Sequence, residues 1–367
     1  VFDKVVVAPV TRRGVAAADS MPANVIIATD IADSPDRDRK WLRPLLHPVA
    51  ALRNRGDVKY SLAAAMTQKA LESIMRRYNL TASDTVAEAF WFDFPSTALE
   101  RIHHKHGLRY LIRAHGYDIY TDRAPELRRR AIASSDGLYA VSDAGVAILA
   151  DKYADVAAKI HRHYLGVETE VSASRCSEPG SREVFILTVA QVIDRKRCGL
   201  CLEMAEALAK ARPGWHITWT LIGDGPELPG LRAKVQENRR DNLTVDLKGP
   251  LPHTQVMDYL AANTVDWLML LSRHEGFGLV LAEAMAHGIP AIATDTGGIG
   301  ESVDDNTGLL LARDPEPEEF VRGLMPYLDS RARYEALRQG ARRAVEEKFD
   351  SRLLRREWAE MLKSLLP

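Results

Sequence analysis

The stretch SRHEGFGLVLAEAMAHGIPAIATDTGG, residues 272–298, combines a loop, a helix and a strand in one short segment. The almost wholly apolar DWLMLLS (266–272), which leads into it, is typical of a strand covered on both faces. Gly276 and Gly278 allow the loop after this strand to turn and to approach a ligand closely. LVLAEAMAH is rich in helix formers, and Gly288, followed by Ile-Pro, predicts where that helix ends. The stretch therefore predicts a strand–loop–helix unit of a parallel sheet.

Two glutamates flank the predicted helix start at Gly278. The free N–H groups of a helix N-terminus favour an anion such as a phosphate. Glu275 precedes the start, and Glu283 lies roughly 7 Å into the helix. Carboxylates accept hydrogen bonds from sugar hydroxyls. The spacing therefore suits a three-part ligand, with a sugar at Glu275, a diphosphate at Gly278 and a ribose at Glu283. Two solvated glutamates on a flexible loop are the alternative.

Strand-like and helix-like segments alternate on both sides of 168–183, a linker candidate rich in Ser, Glu, Pro and Gly. This alternation predicts two doubly wound α/β domains, at 1–170 and 182–349. Ligands of such sheets bind at the carboxyl ends of the strands, so the cleft between the domains is the expected site.

Individual elements follow from the same patterns. Ser96 is expected to cap a helix that Gly107 ends. An apolar stripe predicts an earlier helix from its helical spacing; its members are Leu62, Met66, Ala70 and Ile74. Further strands are predicted at KVVVAPV (4–10) and ANVIIATD (23–30), and at 85–92, 109–116, 138–142, 184–190, 216–223, 243–249, 290–295 and 308–312.

The composition is that of an ordinary globular protein. The 367 residues include 46% hydrophobic and 27% charged residues. Lys plus Arg is 49 and Asp plus Glu is 50, which argues against a nucleic-acid partner bound through bulk positive charge. No apolar run reaches the roughly 18 residues of a transmembrane helix. A cytoplasmic location is expected, with or without peripheral contact to the inner membrane surface.

For three other motifs the sequence favours a structural interpretation over a functional one. Cys198 and Cys201 form a lone C-x-x-C without the second ligand pair of a zinc site, and we expect packed thiols. RIHHKHG (101–107) predicts histidines at a helix C-terminus rather than a metal site. ELRRRA (126–131) predicts a solvated helix face, with a membrane surface or an acceptor phosphate as the alternative.

EGFGLVLAEAMAHGIPAIATDTGGIGE (275–301) closely resembles the donor-site motif of retaining GT-B glycosyltransferases of the family 4 type. The resemblance covers the second domain nearly end to end. It implies an α/β GT-B fold, in which two Rossmann-like domains face each other across a cleft and a last helix, 350–367, crosses back to the first domain. Retention at the anomeric carbon, without a metal or other cofactor, is implied in the same way.

The resemblance also implies a set of donor-binding residues. Lys196 occupies the position of a lysine that neutralises the donor diphosphate. The family's arginine is replaced here by Gln191, which carries no charge, although Arg195 or Arg197 could compensate. Leu251 is expected in the nucleotide-base pocket, by main-chain contact. The full predicted set is Gln191, Lys196, Leu251, Gly276, Phe277, Gly278, Leu279, Glu283 and Gly298.

RAHGYDIY (113–120) follows a strand of the first domain and is similar to an R-x-H-x-x-D string of bacterial capsule and exopolysaccharide glycosyltransferases. The resemblance implies that His115 lies near the reaction centre, together with Glu275. Arg113 and Asp118 are candidates for acceptor contacts or for supporting roles. Whether Glu275 is a nucleophile or a positioning group stays open.

The expected function is transfer of a sugar from a UDP- or GDP-linked donor to a hydroxyl acceptor, in polysaccharide or glycolipid biosynthesis. The acceptor could be a lipid-linked saccharide, a growing polysaccharide or a small molecule. Two alternatives share the same donor pocket. One is a sugar-nucleotide epimerase or hydrolase of the same fold, and the other is a catalytically idle subunit that binds sugar nucleotides.

Overall fold

The computed structural model describes residues 5–7, 25–27, 55–121, 123–237 and 240–366, and these residues divide into two compact units. The first unit contains the described residues up to Ala140, together with Val146–Arg162 and the C-terminal segment from Arg356. The second contains Val141–Gly145 and His163–Arg355. Residues 141–145 and 163–170, which the predicted boundaries placed in the first domain, therefore lie in the second unit.

The first unit holds a four-stranded parallel sheet in the order β3-β4-β5-β6 and a separate parallel pair, β1-β2. Its strands are β1 Val5–Val7, β2 Val25–Ile27, β3 Val86–Ala89, β4 Arg109–Ala114, β5 Gly137–Ala140 and β6 Ile160–Arg162. Its helices are α1 Arg55–Tyr78, α2 Phe94–His106, α3 Gly116–Ile119, α4 Pro125–Ser134 and α5 Asp143–Lys152, the last of which begins in the second unit, and a 3-10 turn spans Ala154–Lys159.

Helix α2 starts three residues earlier than predicted. Asp93 is its N-cap, Pro95 lies in its first turn, and the hydroxyl of Ser96 donates to Asp93 O inside the helix. Ser96 as the N-cap was therefore wrong, because proline is well tolerated in a first turn and lets the helix begin before the serine. The predicted stop is confirmed: Gly107 has φ +76°.

Helix α1 is present, but it buries a different face from the one predicted. Of the predicted apolar stripe only Ile74 is buried, whereas Tyr60, Ala64 and Thr67 are buried one above the other. Small side chains allow close approach of the helix α2, and Tyr60 accepts a hydrogen bond from Thr97 there at 3.4 Å. Packing against helix α2, rather than the spacing of apolar residues, therefore decides which face of helix α1 is buried.

The second unit holds a six-stranded, wholly parallel sheet in the order β12-β11-β10-β7-β8-β9. Its strands are β7 Glu183–Val189, β8 His216–Ile222, β9 Leu243–Gly249, β10 Trp267–Leu270, β11 Ala291–Thr294 and β12 Gly308–Leu311. Its helices are α6 Cys198–Ala211, α7 Leu228–Glu237, α8 His253–Ala262, α9 Leu279–Ala286, α10 Pro317–Leu328 and α11 Arg331–Lys348, and 3-10 turns span Asp194–Lys196 and Ile299–Glu301.

The core of the second unit forms where apolar strands meet amphipathic helices. Trp219 and Trp267 are fully buried in the sheet layer. Asp266, just before β10, accepts hydrogen bonds from the main-chain N–H groups of Ser177 and Phe185, both at 2.8 Å. This carboxylate therefore fastens the predicted linker to the edge of the sheet at which the strands begin.

The final helix, α12 (Ser351–Ser364), starts in the second unit and ends in the first. Trp358 Nε1 donates to Glu88 Oε2 at 3.0 Å, and the Trp358 ring meets the Tyr139 ring edge-on at 5.1 Å. The tryptophan thus packs on one face of the first unit's sheet. Among the helices of the described residues, none has the length and apolar character that crossing a membrane requires.

Candidate active site

In the sheet of the second unit, the strand order runs outward in opposite directions from one point between the two central strands. The neighbours β7 and β10 lie at the centre, with β8 and β9 on one side and β11 and β12 on the other. Such a switch point opens a crevice outside the carboxyl ends of the two central strands, where doubly wound sheets bind ligands. The loops there are 190–197 and 271–278. All nine predicted donor-side residues lie in segments that follow carboxyl ends of strands in this sheet.

An ion pair joins the two central loops. Lys196 Nζ contacts Glu275 Oε2, and each of these side chains is only 14% exposed. The Ser272 hydroxyl donates to the same carboxylate oxygen at 3.3 Å. The main chain joins the loops as well, because Arg273 N donates to Arg195 O at 2.8 Å. The structure therefore places the predicted cation for the diphosphate and the predicted sugar-binding carboxylate side by side.

Helix α9 begins beside this pair. Gly278 is its N-cap with φ +79°, in the left-handed region that glycine adopts without strain. The N–H groups of Leu279 and Val280 lie in the first turn, where a helix offers no acceptor. They also form the positive end of the helix dipole. This is the point at which the sequence predicts the diphosphate.

The glycine loop is fixed from both sides. Gly298 N, in the loop after β11, donates to Glu275 O at 3.3 Å. The Phe277 ring is buried and packs against the rings of Tyr164 and Phe349, with ring centroids 5.8 Å and 5.0 Å away. The side chain of Phe277 therefore anchors the loop. Only the main chain of this residue is available to a bound donor substrate.

Glu283 has a partner that the sequence did not reveal. His253 Nε2 lies 2.8 Å from Glu283 Oε1, and the side chain of Glu283 is 11% exposed while that of His253 is 69% exposed. Burial raises the pKa of Glu283, and the contact with His253 partly offsets that rise. Leu251 lies two residues before His253, so the predicted base loop and the predicted ribose carboxylate meet at one place.

The side chains near Gln191 provide less positive charge than the sequence suggested. Gln191 itself is exposed. The Arg197 guanidinium is buried and is bonded to the carbonyls of Leu271 and Ser272 and to the carboxylate of Asp314. Arg197 is therefore committed to structure and cannot replace the missing arginine. Arg195, whose side chain makes no bond to the residues described, is the arginine that remains.

In the first unit, His115 follows β4 at the carboxyl edge of the sheet. Its imidazole packs against the rings of both Phe90 and Trp91, with centroids 4.7 Å and 4.4 Å away. Both ring nitrogens are buried, and neither has a hydrogen-bond partner within the described part of the chain. Asp118 accepts a hydrogen bond from His115 N at 2.9 Å. Asp118 is itself fully buried, so it fixes the His115 main chain rather than facing solvent.

Arg113 lies on the sheet face covered by the last helix. Its guanidinium stacks over the Trp358 ring at 4.2 Å, and its Nε lies 4.0 Å from Glu88 Oε1. Burial raises the pKa of Glu88, and both the Trp358 hydrogen bond and Arg113 counteract that rise. The arrangement gives Arg113 a role in packing the last helix, and it offers little surface for an acceptor.

The structure places the cysteine motif in the core and the histidine run in the last turn of helix α2, the positions that the sequence predicts for them. Cys198 and Cys201 are buried, and burial raises the pKa of the Cys198 thiol to about 11. A thiol with so high a pKa is a poor nucleophile and metal ligand. No three His, Cys, Asp or Glu side chains among the residues described converge as a metal-ligand set.

The basic run 126–131 is occupied by contacts within the first unit. Arg128 is buried and bonds to the carbonyl of Asp118 at 2.5 Å. Arg129 pairs with Asp155 at 2.7 Å, and Arg130 pairs with Glu100 at 2.6 Å. The arginines of this run therefore provide little unpaired charge for a phosphate or a membrane surface.

Three functional candidates were missed by sequence reasoning. Ser272 lies within the quoted stretch, but its hydroxyl contact with Glu275 needs the loop geometry. His253 meets Glu283 across 30 positions of sequence, which no local pattern records. The Phe90-Trp91 pair had a visible signal, since two large aromatics stand directly before Phe92-Asp93, but it was assigned to a buried strand at 85–92. That assignment was wrong, because β3 ends at Ala89 and both rings are exposed.

Known proteins that resemble this chain are glycosyltransferases. The family model described as glycosyl transferases group 1 matches residues 175–344. The amylovoran biosynthesis glycosyltransferase AmsK of Erwinia amylovora is 26% identical over 213 residues, 57% of this chain and 52% of that protein. The putative colanic acid biosynthesis glycosyltransferase WcaL of Escherichia coli is 27% identical over 271 residues, 68% of this chain and 63% of that protein. The chain thus spans between half and two thirds of these two relatives.

Solved structures share the fold. Anabaena HepE, crystallised with UDP and glucose, superposes with a TM-score of 0.63 at 17% identity, over 82% of this chain and 81% of that one. At this identity the likeness concerns the fold, and it agrees with the two parallel α/β sheets of the GT-B class. Residues 175–344 therefore match the model of the glycosyl transferases group 1 family, and the two parallel sheets match the GT-B fold.

Proposed function

We propose that the chain is a glycosyltransferase that moves a sugar from a nucleoside-diphosphate sugar to a hydroxyl acceptor, with retention at the anomeric carbon and without a metal ion. The observation that carries the proposal is the Lys196–Glu275 pair at the start of helix α9, at the switch point of the sheet. The ammonium and the helix N-terminus can bind a leaving diphosphate, and the carboxylate can bind a sugar. Because the three groups are adjacent, they can bind both parts of one donor.

In this proposal the donor lies along the carboxyl edge of the second sheet. The N–H groups of Leu279 and Val280 and the Lys196 ammonium stabilise the charge that develops on the leaving diphosphate. Glu275 accepts hydrogen bonds from the sugar and holds its reacting carbon. Glu283, oriented by His253, accepts from the ribose hydroxyls, and the main chain at Leu251 meets the base. Gln191 adds a neutral hydrogen bond.

The finer features rest on the resemblance of 275–301 to retaining enzymes. Retention does not follow from the distance between glutamates, and the double-displacement rule of glycosidases is not carried over. Glu275 is proposed as the group next to the reacting carbon, whether it attacks that carbon or only positions the sugar. His115 is the proposed sugar-handling group of the first unit.

The relatives suggest the biological setting. AmsK and WcaL are named for amylovoran and colanic acid biosynthesis, and we propose that this chain also builds a polysaccharide or glycolipid. HepE binds UDP and glucose, so UDP-sugars head the donor panel and GDP-sugars follow. The predicted cytoplasmic setting, with peripheral contact to the inner membrane as the variant, is part of this proposal.

The test combines donor binding with transfer. A matching nucleotide should raise the melting temperature of the wild-type protein, because it binds only the folded state. Lys196→Ala and Glu275→Ala should each lower kcat/KM by about 10²–10³-fold, the usual effect of removing one electrostatic contact to a transition state. Lys234→Ala, which removes an exposed lysine paired with Glu203 at 3.7 Å, is the matched control and should transfer normally. EDTA should leave the rate unchanged.

Two results would replace the proposal. Conversion of the donor to a free sugar or an epimer as the main activity, independent of acceptor, would identify an epimerase or hydrolase. Donor binding without turnover on any acceptor would identify a catalytically idle subunit, the function that the uncharged Gln191 favours. Unchanged transfer in Glu275→Ala would refute the assignment of this carboxylate.

A further inference from the structure

Four exposed aromatic side chains follow the carboxyl ends of two neighbouring strands of the first unit's sheet, β3 and β4. Phe90 (52% exposed) and Trp91 (46%) directly follow β3, and Tyr117 (52%) and Tyr120 (38%) follow β4. Only two other large hydrophobic side chains among the described residues are exposed to a similar degree, Leu279 and Leu353. Exposed aromatics gathered at a ligand-binding edge mark an interaction site, whereas scattered ones need no explanation. We call Phe90, Trp91, Tyr117 and Tyr120 the aromatic patch.

The patch covers an imidazole that has no partner. His115 is 9% exposed, and its Nδ1 and Nε2 are both buried without a hydrogen bond within the described residues. The nearest carboxylate oxygen, Asp118 Oδ2, lies 3.8 Å from Nδ1, which is too far for a hydrogen bond. An unsatisfied buried polar group is rare in folded proteins and calls for an explanation. A ligand hydroxyl that bonds to the ring would supply the missing partner.

The surroundings favour a neutral ligand. The arginines of helix α4 are engaged, Arg129 with Asp155 and Arg130 with Glu100. Arg123 is an exposed cation whose guanidinium lies over the Tyr117 ring at 5.7 Å. An anionic membrane needs clustered unpaired cations as well as aromatics. Sugars instead present flat C–H faces to aromatic rings and hydroxyls to polar groups, which matches an aromatic patch with one unpartnered imidazole beneath it.

We propose that the aromatic patch is the acceptor site and that the acceptor is presented to it as a saccharide. The sugar stacks on Trp91, with Phe90 beside it, and one of its hydroxyls bonds to His115. This inference rests on the proposed transferase function and names its acceptor class. A small non-saccharide acceptor would leave the patch without a role.

Access to the imidazole requires only side-chain motion. Phe90 and Trp91 are about half exposed, and exposed side chains change rotamer within nanoseconds. A sugar can therefore displace one ring and stack on the other. A neutral imidazole has one donor and one acceptor nitrogen, so His115 can serve a hydroxyl in either direction.

The first experiment needs no turnover. The protein, which has six tryptophans, is labelled with 5-fluorotryptophan, and the Trp91 resonance is assigned by its loss in Trp91→Phe. Maltotriose, α-mannotriose and N,N′-diacetylchitobiose are titrated in turn, and vesicles of phosphatidylglycerol and phosphatidylethanolamine form a separate arm. We expect at least one saccharide to shift the Trp91 resonance and to leave the resonances of the buried Trp219 and Trp267 in place. A Trp91 response to vesicles and to none of the saccharides would overturn the proposal.

The second experiment separates the acceptor site from the donor site. Trp91→Ala should raise the acceptor KM for the saccharide found by titration about tenfold, equivalent to about 1.4 kcal/mol, and leave the donor KM unchanged. Trp91→Phe, which keeps a ring, should stay near wild type. Unchanged acceptor KM in Phe90→Ala/Trp91→Ala, with transfer intact, would refute the proposal. Failure of the transferase function itself would show differently, as a wild-type protein that transfers no sugar and is stabilised by no nucleotide.

Discussion

Gly298 leaves no room for a larger residue at the candidate donor site. A Cβ there would lie 2.5 Å from Ser142 Cβ and would overlap with Gly276 O. Gly298 N also donates to Glu275 O at 3.3 Å. A side chain at this position would therefore push apart the two loops that fix the backbone of Glu275.

Gly298→Ala should lower the free energy of unfolding by about 1–3 kcal/mol, the usual cost of overpacking, and should weaken donor binding. Urea denaturation and nucleotide titration measure the two effects. Gly230→Ala is the control, because Gly230 lies in helix α7 with open space around its Cβ position, and alanine there should stabilise by up to about 1 kcal/mol. Equal destabilisation by both alanines would show that overlap at Gly298 is not the cause.

Glu283 shows how a donor-site residue is held at a cost in stability. Burial raises its pKa, so the folded state binds the proton more tightly than the unfolded state does. Below the pKa of the unfolded chain both states are protonated and no penalty exists. As pH rises through the folded-state pKa, the penalty grows to its full size.

Glu283→Gln should therefore raise the free energy of unfolding at pH 7, with a smaller gain at acid pH, and should raise the donor KM. Denaturation at several pH values and donor kinetics test these expectations together. His253→Ala should raise the donor KM without the gain in stability, because it removes the partner of Glu283 and leaves the carboxylate in place. A larger gain at acid pH than at pH 7 would contradict the argument.

At the residue scale, the sequence can predict only those parts of the site that depend on contacts between neighbouring positions. Glu275 and Gly278 stand in one short motif, so their neighbourhood could be inferred. Arg197 was expected as a compensating charge, yet its guanidinium is bound to carbonyls more than 70 positions away. His253 was missed for the same reason. Only tertiary packing decides which long side chains remain available to a ligand.

Arg197 organises the ends of three strands. Its guanidinium bonds to Leu271 O and Ser272 O after β10, to Thr294 Oγ1 at the end of β11, and to Arg313 O after β12. The main chain of Arg197 itself has φ +50°, an uncommon conformation for a residue other than glycine. The residue thus holds the loop of Glu275 against the rest of the sheet edge.

Arg197→Lys should loosen this edge, because a lysine has no planar fork of donors and leaves carbonyls unpaired at about 1–3 kcal/mol each. Hydrogen exchange of the amides in 271–278 should become faster, and donor affinity should fall. Arg195→Lys is the control, since the Arg195 side chain has no such bonds among the described residues. Unchanged exchange in Arg197→Lys would show that the guanidinium does not hold the loop.

Helix ends were predictable where a glycine with positive φ marks them. Gly278 opens helix α9 and Gly288, with φ +71°, closes it, as the sequence predicts. Ile289 N bonds back to Ala284 O at 3.0 Å and completes the cap. By contrast, the aromatic run after β3 looked like more strand, because composition does not tell a buried ring from an exposed one.

The predicted strands KVVVAPV and ANVIIATD lie within the described residues only at Val5–Val7 and Val25–Ile27, where both strands are confirmed. The remainder of the two stretches lies outside the described residues.

At the scale of the whole molecule, the chain enters the second unit briefly at Val141–Gly145 and again at His163, and it returns to the first unit after Arg355. Trp358 makes the central contact of the returning segment, with its ring under the Arg113 guanidinium and its Nε1–H bonded to Glu88. Because Glu88 is buried enough for its pKa to be raised, loss of the indole would leave a poorly compensated carboxyl group. The C-terminal segment should therefore stabilise the first unit specifically.

Trp358→Ala should destabilise the first unit by about 3 kcal/mol, at the lower end of the range for Trp→Ala because the ring is only partly buried. Trp358→Phe keeps a ring over Arg113 and loses only the hydrogen bond, so about 1 kcal/mol is expected. Differential scanning calorimetry with and without the donor nucleotide identifies the transition of the second unit as the one that the nucleotide raises. The variants should lower the other transition and leave donor binding intact. A Trp358→Ala protein in which the nucleotide-sensitive transition moves instead would show that the last helix stabilises the donor-binding unit.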